Sequence, residues 1–153
     1  MMDDCVHSID TVRWMNGGEV TKITSITRSV HTPDYNYFNI VLEFDNGSVG
    51  VIMNNWSSGK RIFAVEMHAP GIYVEAEHET EARIYRDGSL IPELITAEAA
   101  AGSSDYFAHS GVLGKTRDFI DACKRKRPAE SDFNDALKTM EVAEKVLAQA
   151  LLN

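Results

Sequence analysis

Tyr37-Phe38-Asn39-Ile40-Val41-Leu42-Glu43-Phe44-Asp45-Asn46-Gly47-Ser48 is the stretch that decides the fold. Successive side chains of an extended segment alternate, so Phe38, Ile40, Leu42 and Phe44 share one face and Tyr37, Asn39 and Glu43 the other. Asp45-Asn46-Gly47 supplies residues that tolerate the positive φ angles of a tight turn. The return, Ser48 to Trp56, sets Val49, Val51 and Met53 against Ile52, Asn54 and Trp56. An antiparallel hairpin follows. Apolar residues stand on both of its faces, so each needs a cover, helices on one and a second subunit on the other.

Outward from the hairpin, β-branched and aromatic residues at a period near two run from Glu19 to Asp87. Strands are predicted over Val20 to Arg28, Arg61 to Ala69, Ile72 to Ala76 and Ala82 to Arg86. Short links make the six strands mostly antiparallel. Gly88 to Asp105 has no clear period and reads as a long surface loop. Helical spacing flanks the sheet. Asp3 to Met15 forms a helix ended by Asn16-Gly17-Gly18. Val112, Thr116, Phe119, Ile120 and Cys123 line a second helix that stops before Pro128. Ser131 or Asp132 caps a last helix, expected to bury Phe133, Ala136, Leu137, Met140, Ala143, Val146, Leu147 and Leu151. The expected fold is α+β: one domain over residues 1–153, with an open-faced, mostly antiparallel sheet of about six strands. Helices cover one face, and the other is available for self-association.

Fifteen basic residues against 23 acidic ones give a formal charge of -8, so the average surface repels phosphate backbones and anionic membranes. The single basic run, Lys124 to Arg127, closes a predicted helix, where cations complement the macrodipole. No apolar run is long enough to span a bilayer, and the acidic start has no secretory character. Cys5 and Cys123 follow no metal or disulfide spacing and read as free thiols of a cytoplasmic protein.

Two residues stand out for chemistry. Asp3 and His7, four apart on a helix, reach the same volume on one face, together with Asp10 and Trp14. A carboxylate orients a neighbouring imidazole, and an imidazole exchanges protons near neutrality, which suits removing a proton from a hydroxyl. The same spacing also describes a helix-start carboxylate beside an ordinary surface histidine. With Asp4 or Asp10 a metal-dependent hydrolase or isomerase is a further reading. No zinc spacing such as H-E-x-x-H accompanies it, and no metal ligand is assigned. Lys60 and Arg61, in a turn beside Asn54, Asn55, Trp56 and His68, are candidates to hold a carboxylate or phosphate on a substrate.

The wider string Asp3-Asp4-Cys5-Val6-His7-Ser8-Ile9-Asp10-Thr11-Val12-Arg13-Trp14-Met15-Asn16-Gly17 resembles the D-x-x-x-H-x-x-D-x-x-R-W-(L/M)-x-G signature of the glucose-fructose oxidoreductase/inositol dehydrogenase/MocA (Gfo/Idh/MocA) family. Phe44-Asp45-Asn46-Gly47-Ser48 is similar to that family's hairpin. Phe119-Ile120 and the run from Pro128 through Ala136-Leu137 resemble its closing helices. The resemblance implies the family's C-terminal domain, with a fold like that of dihydrodipicolinate reductase, here lacking its first strand. By the same resemblance, His7 is general acid or base toward a substrate hydroxyl or carbonyl, and Asp3 orients it or bonds the substrate; Asp10, Lys60 and Arg61 are further substrate-binding candidates on their own chemistry. Cys5 departs from the glycine of many relatives and is expected to narrow the pocket floor.

Family enzymes also carry an N-terminal Rossmann domain with a G-x-G-x-x-(G/A) turn that holds NAD or NADP, and an E-K-P motif. Neither motif occurs in this sequence. Gly17-Gly18 follows a helix and precedes a strand, the reverse of the order such a turn needs. The expectation is a substrate-binding and oligomerisation domain of an NAD(P)-dependent oxidoreductase acting on a sugar, polyol or related hydroxy compound. Alone it binds no cofactor and is inactive. Its partners are the small substrate, a Rossmann domain and a second copy through the sheet face, with neither nucleic acid nor membrane. The alternative is a stand-alone binding or assembly module that uses the open sheet face without catalysis.

Overall fold

The computed structural model describes residues 2–152, the first two of these by backbone alone. The elements run α1 (Met2–Asn16), β1 (Val20–Arg28), β2 (Tyr37–Phe44), β3 (Val49–Asn55), β4 (Ala64–Ala69), β5 (Ile72–Glu77) and β6 (Glu81–Arg86). They continue with β7 (Glu93–Thr96), α2 (Ala97–Ala101), α3 (Tyr106–His109), α4 (Val112–Arg125) and α5 (Phe133–Leu151). The architecture is α+β, as expected, with every strand pair antiparallel. The chain divides into two units, residues 1–59 with 131–153, and residues 60–130.

In the first unit, β1, β2 and β3 form a sheet in that order. The hairpin register pairs Ile40 with Ile52 and Val41 with Val51. Gly47 takes a φ of 83° at the turn, closed by the Phe44 amide donating to the Ser48 carbonyl at 3.0 Å. Phe38, Ile40, Leu42 and Phe44 are buried and meet Cys5 and Ile9 of α1 and Val142, Ala143 and Val146 of α5. Each large side chain wholly removed from water there contributes about 1.5–3 kcal/mol. The opposite face holds Val49, Val51 and Met53, all exposed. Gly50 faces the helices without a side chain. A Cβ there would stand 2.2 Å from Val12 Cγ1, so the absent methyl sets how closely α1 approaches β3. Helix α1 stops at Gly17, whose φ of 67° is left-handed and whose amide donates to the Arg13 carbonyl. Asp132 caps α5 by accepting from the amides of Asn134 and Asp135.

The second unit is a four-stranded meander, β4-β5-β6-β7, followed by α2, α3 and α4. One face carries Val65, Val74, Ala76, Ala82, Ile84 and Ile95, brought into line by the register. The other carries a cross-strand row in which His68, Tyr73 and Tyr85 stack at centroid separations of 4.7 and 5.7 Å. Thr96 ends β7 and caps α2 through its hydroxyl, which accepts from the Ala99 amide.

Three sequence expectations change. There are seven strands in two hydrogen-bonded sheets rather than about six in one, because Glu93–Thr96 pairs with β6. A four-residue strand is specified by its partner and leaves almost no periodic trace. The segment read as a loop therefore holds β7, α2 and the start of α3 nearby. Helix α5 buries Thr139, Val142, Ala143 and Val146, whereas Phe133, Leu137, Met140 and Leu151 are exposed. A helix lying on a sheet covers an arc of about 100°, and those four residues fall outside it. Among the described residues no helix is long and apolar enough to cross a membrane.

Candidate active site on the first helix

Helix α1 lies between β3 and α5, and its residues divide by angle. Cys5 and Ile9, wholly buried, form the seam against the sheet, with Val6 and Val12 at its borders. On the β3 side, Ser8 and Asn54 exchange side-chain hydrogen bonds at 3.2 and 3.0 Å. Nearby, the Trp56 indole N–H donates to Asp4 Oδ2 at 3.1 Å, its ring standing edge-on to Phe38. On the α5 side, the Arg13 guanidinium donates to the Asp135 carboxylate at 3.1 Å, to the Asp135 carbonyl and to the Thr139 hydroxyl. That hydroxyl in turn donates to Asp10 Oδ1 at 2.8 Å, and Arg13 also lies 3.6 Å from the same carboxylate.

What remains is the outward face. His7 is exposed there, and Trp14, two turns on, is 73% exposed. The sequence stripe of His7, Asp10 and Trp14 is thus a real surface, with Asp10 at its α5 edge. Asp3 belongs to α1, but its side chain lies outside the described residues. Lys60 and Arg61 are exposed residues of the second unit. Lys60 Nζ stands 4.0 Å from the Glu77 carboxylate. Asn54 and Trp56 make their side-chain hydrogen bonds to α1. Cys5 faces the core rather than a pocket floor, because it sits one turn before Ile9 on the seam. Burial pushes its thiol pKa up, and the hydrogen bond to Asn54 offsets part of that rise.

Sequence reasoning missed the Arg13 cluster. The signal was available in the i, i+3 spacing of Asp10 and Arg13, but their partners Thr139 and Asp135 lie more than 120 residues away and have no local signature.

Residues 1–71 match the model of the GFO/IDH/MocA C-terminal domain. That stretch, holding α1 and β1 to β4, is similar to the family's domain and is under half of the chain. Solved structures agree on the fold over nearly all of the chain. A dehydrogenase from Chromobacterium violaceum is 20% identical, with a TM-score of 0.81 over 97% of this chain and 46% of that one. UDP-N-acetylglucosamine 3-dehydrogenase from Acidithiobacillus ferrooxidans is 14% identical, with a TM-score of 0.77 over 94% and 44%. An oxidoreductase from Agrobacterium radiobacter, solved in complex with NAD+, L-tartaric acid and magnesium, is 16% identical, with a TM-score of 0.73 over 95% and 45%. This chain therefore spans less than half the length of the structures it matches. No curated protein matches the sequence.

Among the described residues there is no Rossmann-type cradle for a dinucleotide. Binding of its pyrophosphate in the Rossmann manner needs a glycine-rich turn between a strand and a helix in a parallel βαβ unit. All described strand pairs of this chain are antiparallel, and Gly17-Gly18 joins a helix to a following strand.

Proposed function

We propose that the chain is the substrate-facing and assembly domain of a cytoplasmic NAD(P)-dependent oxidoreductase acting on a sugar, polyol or related hydroxy compound. His7 takes or returns the proton of the substrate hydroxyl, and Asp3, one turn earlier, orients its imidazole. Lys60 and Arg61 hold an anionic group of the substrate. NAD or NADP is held by a separate nucleotide-binding domain. The observation that carries this reading is the arrangement of α1. Its inner and lateral residues are committed to packing and hydrogen bonds, while His7 is presented on the exposed face. The sugar-nucleotide dehydrogenase and the NAD+ and tartrate complex among the structural relatives support the substrate and cofactor classes.

Exposed Val49, Val51 and Met53 favour a second role, a homodimer formed through the open face of the first sheet. That role stands without catalysis if the domain is only an assembly module. The test is an NMR titration of the 15N-labelled chain with UDP-N-acetylglucosamine, glucose, glycerol, L-tartrate and NADH. The expected result is perturbation of α1 amides around His7 by at least one hydroxy compound, abolished in His7→Ala, and no response to NADH. Silence of α1 toward all four hydroxy compounds, or saturable NADH binding, overturns the proposal.

A further inference from the structure

We infer that Asp10, Arg13, Thr139 and Asp135 form a positioning device that fixes the roll of α1 and so the direction in which His7 faces. Its functional meaning rests on the role proposed for His7, but the geometry can be tested without it. The apolar seam of α1 is narrow. Among its described residues only Cys5 and Ile9 are wholly buried, and one of them is small. Such a seam resists lifting of the helix more than rolling about its axis. A roll of about 20° carries a side-chain tip about 2 Å at the outer radius of a helix. Displacements of about 1 Å already cost on the order of 100-fold in reactions that depend on alignment.

Roll is opposed where α1 is tied on both flanks. Ser8 with Asn54 and Asp4 with Trp56 hold it toward the β3 side, and the Arg13 cluster holds it toward α5. The α5 tie is the buried one. Thr139 is 2% exposed, and its hydroxyl accepts from Arg13 while donating to Asp10, so one group fixes two residues of α1. Asp10 sits one turn after His7, and through Oδ1 it ties this face of α1 to α5.

The experiment compares Thr139→Val with the conservative Thr139→Ser. Carbethoxylation of each histidine by diethyl pyrocarbonate is followed by mass spectrometry, with His31, His68, His78 and His109 as internal references. The Trp14 indole resonance is followed by NMR. Thr139→Val should change the His7 rate relative to the references by at least about threefold and shift Trp14, whereas Thr139→Ser should leave both near the parent values. If Thr139→Val does not fold, Asp10→Ala, which removes the acceptor, is read in the same way. An unchanged His7 ratio and Trp14 resonance alongside a lowered Tm would show that the cluster contributes stability alone and overturn the inference. A moved ratio with no substrate response in the NMR titration would sink the proposed function and leave the positioning device standing.

Discussion

Replacing Gly50 by Ala tests how the domain sets the seat of its first helix. The added Cβ would lie 2.2 Å from Val12 Cγ1, and ordinary contact begins near 3.4 Å, so about 1.2 Å of space must be found. Val12 cannot turn aside, because a β-branched residue in a helix is held to one dominant rotamer. Helix α1 must therefore lift or slide. Overpacking of this kind costs about 1–3 kcal/mol. Against that stands a gain of about 0.5–1 kcal/mol from removing a flexible glycine from a strand. The net expectation is a loss of about 1–2 kcal/mol, or a fall in Tm of about 2–8 °C for a chain of this size. Thermal and urea denaturation followed by circular dichroism measure it.

A double-mutant cycle isolates the cause. Val12→Ala removes Cγ1 and costs about 1 kcal/mol by itself through lost burial. In that background Gly50→Ala should be neutral or stabilising, giving a coupling of about 1–2 kcal/mol between the two sites. If Gly50→Ala alone matches or exceeds the parent stability, or costs the same with and without Val12, the close approach of α1 to β3 does not control the fold.

Two further predictions concern other parts of the first unit. Met53→Lys places a charge on the exposed sheet face, where Met53 is 80% exposed, and should convert a dimer to a monomer in light scattering without lowering Tm; a parent chain that is already monomeric refutes the self-association role. Asp132→Ala should lower Tm near neutral pH. The amide bonds from Asp135 and Asn134 hold the Asp132 carboxyl below its ordinary value, so its contribution is present above the unfolded carboxylate pKa and is lost as pH falls through the lower folded one. The Tm gap to the parent should thus close between about pH 5 and pH 2, and a gap independent of pH would count against the cap.

Much of the first unit was legible in the sequence because local signals and global packing agree there. The Phe38, Ile40, Leu42 and Phe44 alternation, the Asn46-Gly47 turn and the Gly17 stop each state their structure within a few residues, and each is found as read. Helix α5 was harder. Its sequence carries apolar residues around more than half its circumference, and spacing alone does not say which arc meets the sheet. The deciding partners, Ile23 and Ser25 through Gln149 and Arg13 through Thr139, are distant in sequence. In the second unit, β7 was invisible because four residues are too few to display a period. Of the site, His7 and Asp10 could be placed on one helix stripe from spacing. That Asp10 is tied to α5 could not be, since Thr139 gives no hint of its partner.

The string from Asp3 to Gly17 illustrates why a short motif can be specific about geometry while silent about substrate. Nearly every position in it answers to an angle around the helix. Cys5, Ile9 and Val12 meet the sheet, Asp4 and Ser8 tie the β3 side, Asp10 and Arg13 tie the α5 side, and Gly17 ends the helix. His7 and Trp14 are left facing outward. Such a pattern specifies a helix held at one height and one roll above a sheet, presenting an imidazole. Asp4, Ser8, Asp10 and Arg13 each bond a partner on a neighbouring segment, so these polar residues of the string serve its placement.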